Sequence, residues 1–190
     1  MLKSSFNTTS SLYKSQFAAI ERSMPTIDFD ATSGKQYDNV VVVPTISAIE
    51  KISGDKATFT YTVTRNAVEL QDKTIKDAGT YILSVSIGDK VYETATFTIV
   101  PRQIAIKIGN GQKTYDGLVI SDDQRDAVEI EWSNLIDDED LRSYLQLVVR
   151  NNGKDADDYT IGGTFAGNSN YVATINAGKF TIKQKAVTVT

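Results

Sequence analysis

The chain has 190 residues with a net charge of −4, from 20 basic and 24 acidic side chains, and is 41% hydrophobic and 23% charged. That is the composition of a globular protein with material for one large domain or two ordinary ones. It has no cysteine and no histidine, which excludes disulfides and thiolate chemistry and leaves Asp, Glu, Lys and Tyr as acid–base groups, while the acidic balance argues against a nucleic-acid partner.

Residues 1–24 form the first element. The opening MLKSSFNTTSSLYKSQF lacks an apolar core followed by a small-residue cleavage site, so it does not read as a signal peptide. Either the protein leaves the cell by another route or it is a piece of a longer one. Asn7-Thr8-Thr9 matches a glycosylation acceptor by coincidence on this reading. Tyr13, Phe17, Ile20 and Met24 then recur at helical spacing and stop before Pro25, which predicts a short helical stretch. A lone helix of this length is marginal in water, so its stripe needs a cover. The two alternatives are the first sandwich and a partner protein. The segment carries +2 from Lys3, Lys14 and Arg22 against Glu21, leaving −6 elsewhere, which suits an anchoring arm on an acidic protein surface.

From Pro25 onward the chain repeats itself. Tyr37-Asp38 returns as Tyr115-Asp116, and KDAGTY at Lys76–Tyr81 returns as KDADDY at Lys154–Tyr159; both landmarks are offset by 78 (115 − 37, 159 − 81). Later landmarks are offset by 83 (Phe97 to Phe180), which places a five-residue insertion between Tyr159 and Phe180, around GGTFAGNSNY. The predicted organisation is residues 1–24 as arm, 25–101 as domain 1, 102–184 as domain 2, and 185–190 as the first strand of a further module.

Each repeat reads as β. ATFTYTVT alternates apolar and Thr positions, and TYILSVSI and ETATFTIV are β-branched runs divided by Gly88-Asp89. Modules of this length have no room for the helical crossovers of parallel strands, so antiparallel sheets are expected. Turn signals every ~8–12 residues fit an immunoglobulin-like sandwich. In that fold a Tyr near the start of the penultimate strand bonds back to the backbone just upstream, within an Asp-x-Gly-x-Tyr stretch. Asp77, Gly79 and Tyr81 match this; Asp155 and Tyr159 repeat it, with Asp157 in place of Gly. Both tyrosines are expected to be buried.

Three features of the second repeat carry alternatives. Val128, Ile130 and Trp132 alternate, which predicts Trp132 in the core rather than on a sugar-stacking platform. SNLIDDEDLRSYLQLV suggests a short helix or helical turn capped by Ser133 or Asn134, with Leu141, Tyr144 and Leu145 on one side. A calcium site from Asp137, Asp138, Glu139 and Asp140 is the sharper reading, but four consecutive acids cannot all face one ion and no EF-hand pattern surrounds them. No metal or cofactor is expected, and nothing places two carboxylates across a cleft for hydrolysis.

KTYDG, the tyrosine corner and the closing NYVATINAGKFTIKQKAVTVT resemble the tandem YDG/MBG-type immunoglobulin-like repeats of bacterial surface proteins. The resemblance covers Arg102–Thr190 well. It is looser over Pro25–Pro101, where Asn39 replaces the Gly and the Asn-Tyr pair is missing. It implies a non-enzymatic all-β protein of two tandem sandwiches behind a short arm, used as spacer or adhesive module. Such sandwiches also decorate phage virions. The expected function is a virion protein, capsid decoration or auxiliary, held by its arm on a protein lattice at the virion surface; the alternative is an extracellular stalk fragment of a bacterial adhesin. A host glycan or receptor is the second partner class for the sandwiches, with no nucleic acid and no membrane insertion.

Overall fold

The computed structural model describes residues 25–47, 58–137 and 139–188. The arm, with Tyr13, Phe17, Ile20 and Met24, lies outside the described residues. The chain is all-β, and its described residues divide into two compact units: one holds those between 25 and 36 and between 40 and 100, the other residues 37–39 and those between 101 and 188.

Unit 1 contains a five-stranded sheet in the order β2-β7-β6-β4-β5 and a two-stranded sheet β1-β3. Its strands are β1 (Ile27–Phe29), β2 (Lys35–Gln36), β3 (Pro44–Ile46), β4 (Thr60–Arg65), β5 (Val68–Glu69), β6 (Gly79–Ile87) and β7 (Lys90–Val100). Period-2 alternation sends Tyr81, Leu83 and Val85 of β6 inward, to meet Val63 of β4 and Phe97 and Ile99 of β7, all essentially without solvent exposure. The β1 sheet closes over them: the Phe29 ring lies 4.8 Å from that of Phe97. Each such side chain stabilises the unit by ~1.5–3 kcal/mol relative to an exposed position. Gly88, at φ 57°, turns β6 into β7, because a left-handed turn residue without a Cβ is unstrained.

Unit 2 contains a three-stranded sheet β10-β8-β13 and a four-stranded sheet β11-β12-β14-β9. Its strands are β8 (Arg102–Ile108), β9 (Gly111–Thr114), β10 (Ile130–Ser133), β11 (Leu145–Val149), β12 (Asp158–Phe165), β13 (Tyr171–Asn176) and β14 (Gly178–Lys183). Ile104, Ile106 and Ile108 face Leu145, Leu147, Val149, Ile161, Phe180 and Ile182 in its buried core. Helix α1 (Asp122–Asp126) starts with a capping box in which Ser121 and Gln124 satisfy each other's backbone N–H.

The sheets are not purely antiparallel. β2 runs parallel to β7, β9 to β14, and β13 to β8. The objection that parallel pairing needs a long crossover fails for β2–β7 and β9–β14, because the partners come from opposite ends of a module and the intervening strands are the crossover.

The structural repeat does not keep one offset throughout. The backbone bonds Val42 N–H to Ile75 O and Ile120 N–H to Gly153 O are equivalent, with both ends offset by 78 (120 − 42, 153 − 75). Between them, however, Val63 opposes Leu83 as Val149 opposes Ile161, so β4 and β11 are offset by 86 (149 − 63). The second repeat has therefore gained eight residues, the Ser121–Val128 segment that carries α1, and lost eight where the first forms the β4–β5 hairpin.

Candidate functional site

In unit 1 the tyrosine corner is built from β6 and the loop before it. The Tyr81 hydroxyl donates to Asp77 O at 2.7 Å and accepts from Lys76 N–H at 3.3 Å. Arg65 of β4 reaches over it to the Asp77 carboxylate at 2.5 Å. Partial burial would lower the Arg65 pKa, but hydrogen bonds to Asp77 and Tyr81 outweigh it and hold the guanidinium above its ordinary value. Gly79 leaves room for this arrangement, since a Cβ there would stand 2.9 Å from Arg65 Cγ.

The second corner keeps the bonds in a wetter setting. Tyr159 donates to Asp155 O at 3.0 Å and accepts from Asp155 N–H at 3.1 Å. Tyr159 is half-exposed, not buried. Val149 is followed by a short 3₁₀ turn, Arg150–Asn152, where unit 1 has the β4–β5 hairpin, so less of the fold lies over this corner.

The Tyr-Asp-Gly loop is a self-contained clamp. The Asp116 carboxylate accepts Leu118 N–H at 2.9 Å, and Lys113 Nζ, nearly buried, donates to Asp116 Oδ1 at 3.0 Å and to the carbonyls of Leu118 and Val119 at 2.8 and 3.2 Å. The Leu118 amide, with Lys113, holds the Asp116 carboxyl below the usual carboxylate range. Gly117 turns the chain at φ 76°, and Asn39, its counterpart in the first repeat, takes φ 62°. Asn is the next most tolerant residue in that region, so the departure from Gly leaves the turn intact. A Lys two residues before the Tyr in both copies, Lys35 and Lys113, was the available signal for this clamp.

The acidic stretch does not gather on one point. Asp138 lies outside the described residues, and Asp140 caps the Arg142 amide at 3.0 Å. Glu139 turns inward within unit 2: its Oε2 accepts the Tyr171 hydroxyl at 2.7 Å, and its Oε1 accepts the Tyr37 hydroxyl at 3.4 Å. The Tyr37 and Tyr171 rings meet edge to face at 5.5 Å and both are buried. Burial first, then the Glu139 carboxylate, pushes the Tyr171 phenol well above its ordinary value. Spacing alone gave no hint of this pairing.

Ser133 closes β10 rather than capping a helix, and Asn134 takes φ 68° and is held by Arg102 through its carbonyl and side chain. The helical turn is a 3₁₀ turn at Arg142–Tyr144. Trp132 shares the inner face of its sheet with Ile106. Half-exposed, it meets Phe165 at 6.3 Å, and Phe165 meets Tyr144 at 6.2 Å, so the three rings close the open edge of the sandwich instead of forming an outward platform. A groove of about 680 Å³ beside α1 holds Arg125 and Arg142, yet each is already paired, with Asp122 and Asp126.

No protein-family model and no curated protein matches the chain.

Proposed function

We propose that this chain is a non-enzymatic surface-display protein, best read as a phage virion protein whose arm grips a protein lattice while two immunoglobulin-like modules of the YDG/MBG type project from it. The observation that carries this reading is what the repeated residues do. Tyr81, Tyr159, Lys113 and Asp116 spend their polar groups on nearby backbone, so the motif that recurs is architectural. A chain that duplicates architecture extends a surface; anchoring then falls to the part outside the repeat.

Deleting residues 1–24 tests this. The expected result is a truncated protein that melts like the parent and fails to enter the parent particle on co-expression and sedimentation. A truncated protein that still assembles, or one whose unit 1 unfolds, would reduce the arm to core packing and favour the adhesin-stalk reading, which the KTYDG and Asn170-Tyr171 resemblance also supports.

A further inference from the structure

The two Tyr-Asp loops have the same sequence role and opposite surroundings. Tyr37 is 3% exposed, enclosed in unit 2 by Tyr171 and Glu139, while Tyr115, its repeat counterpart, is 38% exposed. The same loop leaves Leu118 66% and Val119 51% exposed, and Val187, which lines a groove with Tyr115, is 83% exposed. An open groove of about 520 Å³ runs between Tyr115, Asp155, Ala156, Gln184, Lys185 and Val187. The chain leaves β14 along this groove, with Tyr115 N–H bonded to Lys183 O at 2.8 Å. An exposed aromatic side chain in a groove, with further exposed apolar residues in its loop, is the composition of an interaction site.

We propose that the Tyr115 face receives a further module of the second-repeat kind, one that presents a tyrosine and a carboxylate as Tyr171 and Glu139 do. The occupant follows from the chemistry already satisfied at Tyr37. A buried phenol packs well edge to face on another ring, and its hydroxyl needs an acceptor; Tyr37 has Asn39 Oδ1 at 3.2 Å in its own loop as well as Glu139 at 3.4 Å, whereas Gly117 offers Tyr115 no side chain. Tyr171 and Glu139 supply a ring and an acceptor to Tyr37, and a like module would supply both to Tyr115. The inference deepens the modular surface-protein reading and holds for a virion or a cell surface alike.

The test extends the full chain by a second copy of residues 108–190 joined after Thr190, which places residues 185–190 where residues 102–107 stand in the repeat. Phe replaces the Tyr115 counterpart in the added copy, so the two peptides differ in mass. Nitration by tetranitromethane is then read by peptide mass, with Tyr144, 37% exposed, as an unchanged control. Tyr115 nitration should fall about tenfold or more relative to the parent, since the Tyr115 and Tyr37 exposures, 38% and 3%, differ by about thirteenfold. It should recover when the counterparts of Tyr171 and Glu139 in the added copy become Phe and Gln. Unchanged reactivity beside a folded added copy overturns the proposal, as does an added copy that cannot fold there. A parent chain that dimerises, and becomes monomeric on Tyr115→Ala, would assign the face to self-association and overturn it too. Failure of the arm deletion leaves this result untouched, because nitration reads docking and not attachment.

Discussion

Removing one oxygen from each corner should separate the two units energetically. In Tyr81→Phe the ring and its packing against the core remain, while Asp77 O and Lys76 N–H lose their partner. Tyr81 is 1% exposed, so water cannot readily replace the hydroxyl, and a buried group left unsatisfied costs about 1–3 kcal/mol. In Tyr159→Phe the same two bonds are lost at a half-exposed site, where water takes over and the expected cost is ~0.5–1 kcal/mol. For units of this size ~1 kcal/mol moves Tm by about 4–8 °C. Trp132 is the only tryptophan and belongs to unit 2, so urea unfolding followed by its fluorescence reads unit 2, while hydrogen exchange at β6 amides reads unit 1. Tyr81→Phe should shift exchange and leave the fluorescence midpoint in place; Tyr159→Phe should do the reverse, and less. Equal costs in the two units, or a larger one at Tyr159, would refute the argument from burial.

Other perturbations address the loop clamp and the sheet contacts. Asp116 and Asp158 have lowered folded pKa values, the first from Leu118 and Lys113, the second from Thr181 and Lys179, so their contribution is present above the ordinary value of 3.8 and is lost as pH falls through the folded values. The fluorescence midpoint in urea should therefore drop between about pH 5 and pH 2, with a shallower slope in Asp116→Asn; equal slopes would remove the clamp from the account. Gly117 has open space at its Cβ, so Gly117→Asn should be nearly neutral and Gly117→Val should cost about 1–2 kcal/mol from backbone alone. At Gly178 an added Cβ would stand 1.9 Å from Gly109 O, and Gly178→Ala should destabilise unit 2 by more than ~2 kcal/mol in the same assay; a smaller loss would mean β14 can move away.

Local chemistry was legible in the sequence, and changes of partner were not. The Lys76–Tyr81 corner lies within six residues, and the Tyr81 hydroxyl makes both its bonds within that stretch, so its pattern survives in one dimension. The β strands were legible for the same reason, since alternation is a property of neighbours. Tyr171 gave no comparable signal: its partners, Glu139 and Tyr37, are 32 and 134 residues removed (171 − 139, 171 − 37) in pairings that no periodicity encodes. α1 was missed because its five residues, Asp122–Asp126 behind the Ser121 cap, are all polar with no buried side chain, and a helix without an apolar face has no stripe to find.

The concealed changes in length explain why the repeat looked simpler than it is. An unbroken offset of 78 between the Tyr-Asp loop and the tyrosine corner suggests one continuous alignment, yet β3, β4, β10 and β11 fall eight residues out of it. The gain sits in a connection and the loss at the exposed edge hairpin β4–β5, both away from the buried strands, where closure entropy grows slowly with length and insertions cost little. The five residues gained later have a different consequence. In unit 1, β7 returns along β6 through Gly88-Asp89 and stays in one sheet. In unit 2 the longer connection lets β13 leave β12 and pair in parallel with β8, widening the opposite sheet to three strands. That switch places Tyr171, the first residue of β13, beside the start of β8, where Arg102 N–H bonds Asn170 O at 2.8 Å. The buried tyrosine–carboxylate pair of unit 2 therefore depends on the inserted connection. Shortening residues 166–170 to the tight turn of unit 1 should return β13 to the β12 sheet, expose Glu139 and raise nitration of Tyr37 and Tyr171 together; a shortened chain in which both stay protected would show that the pair forms without the strand switch.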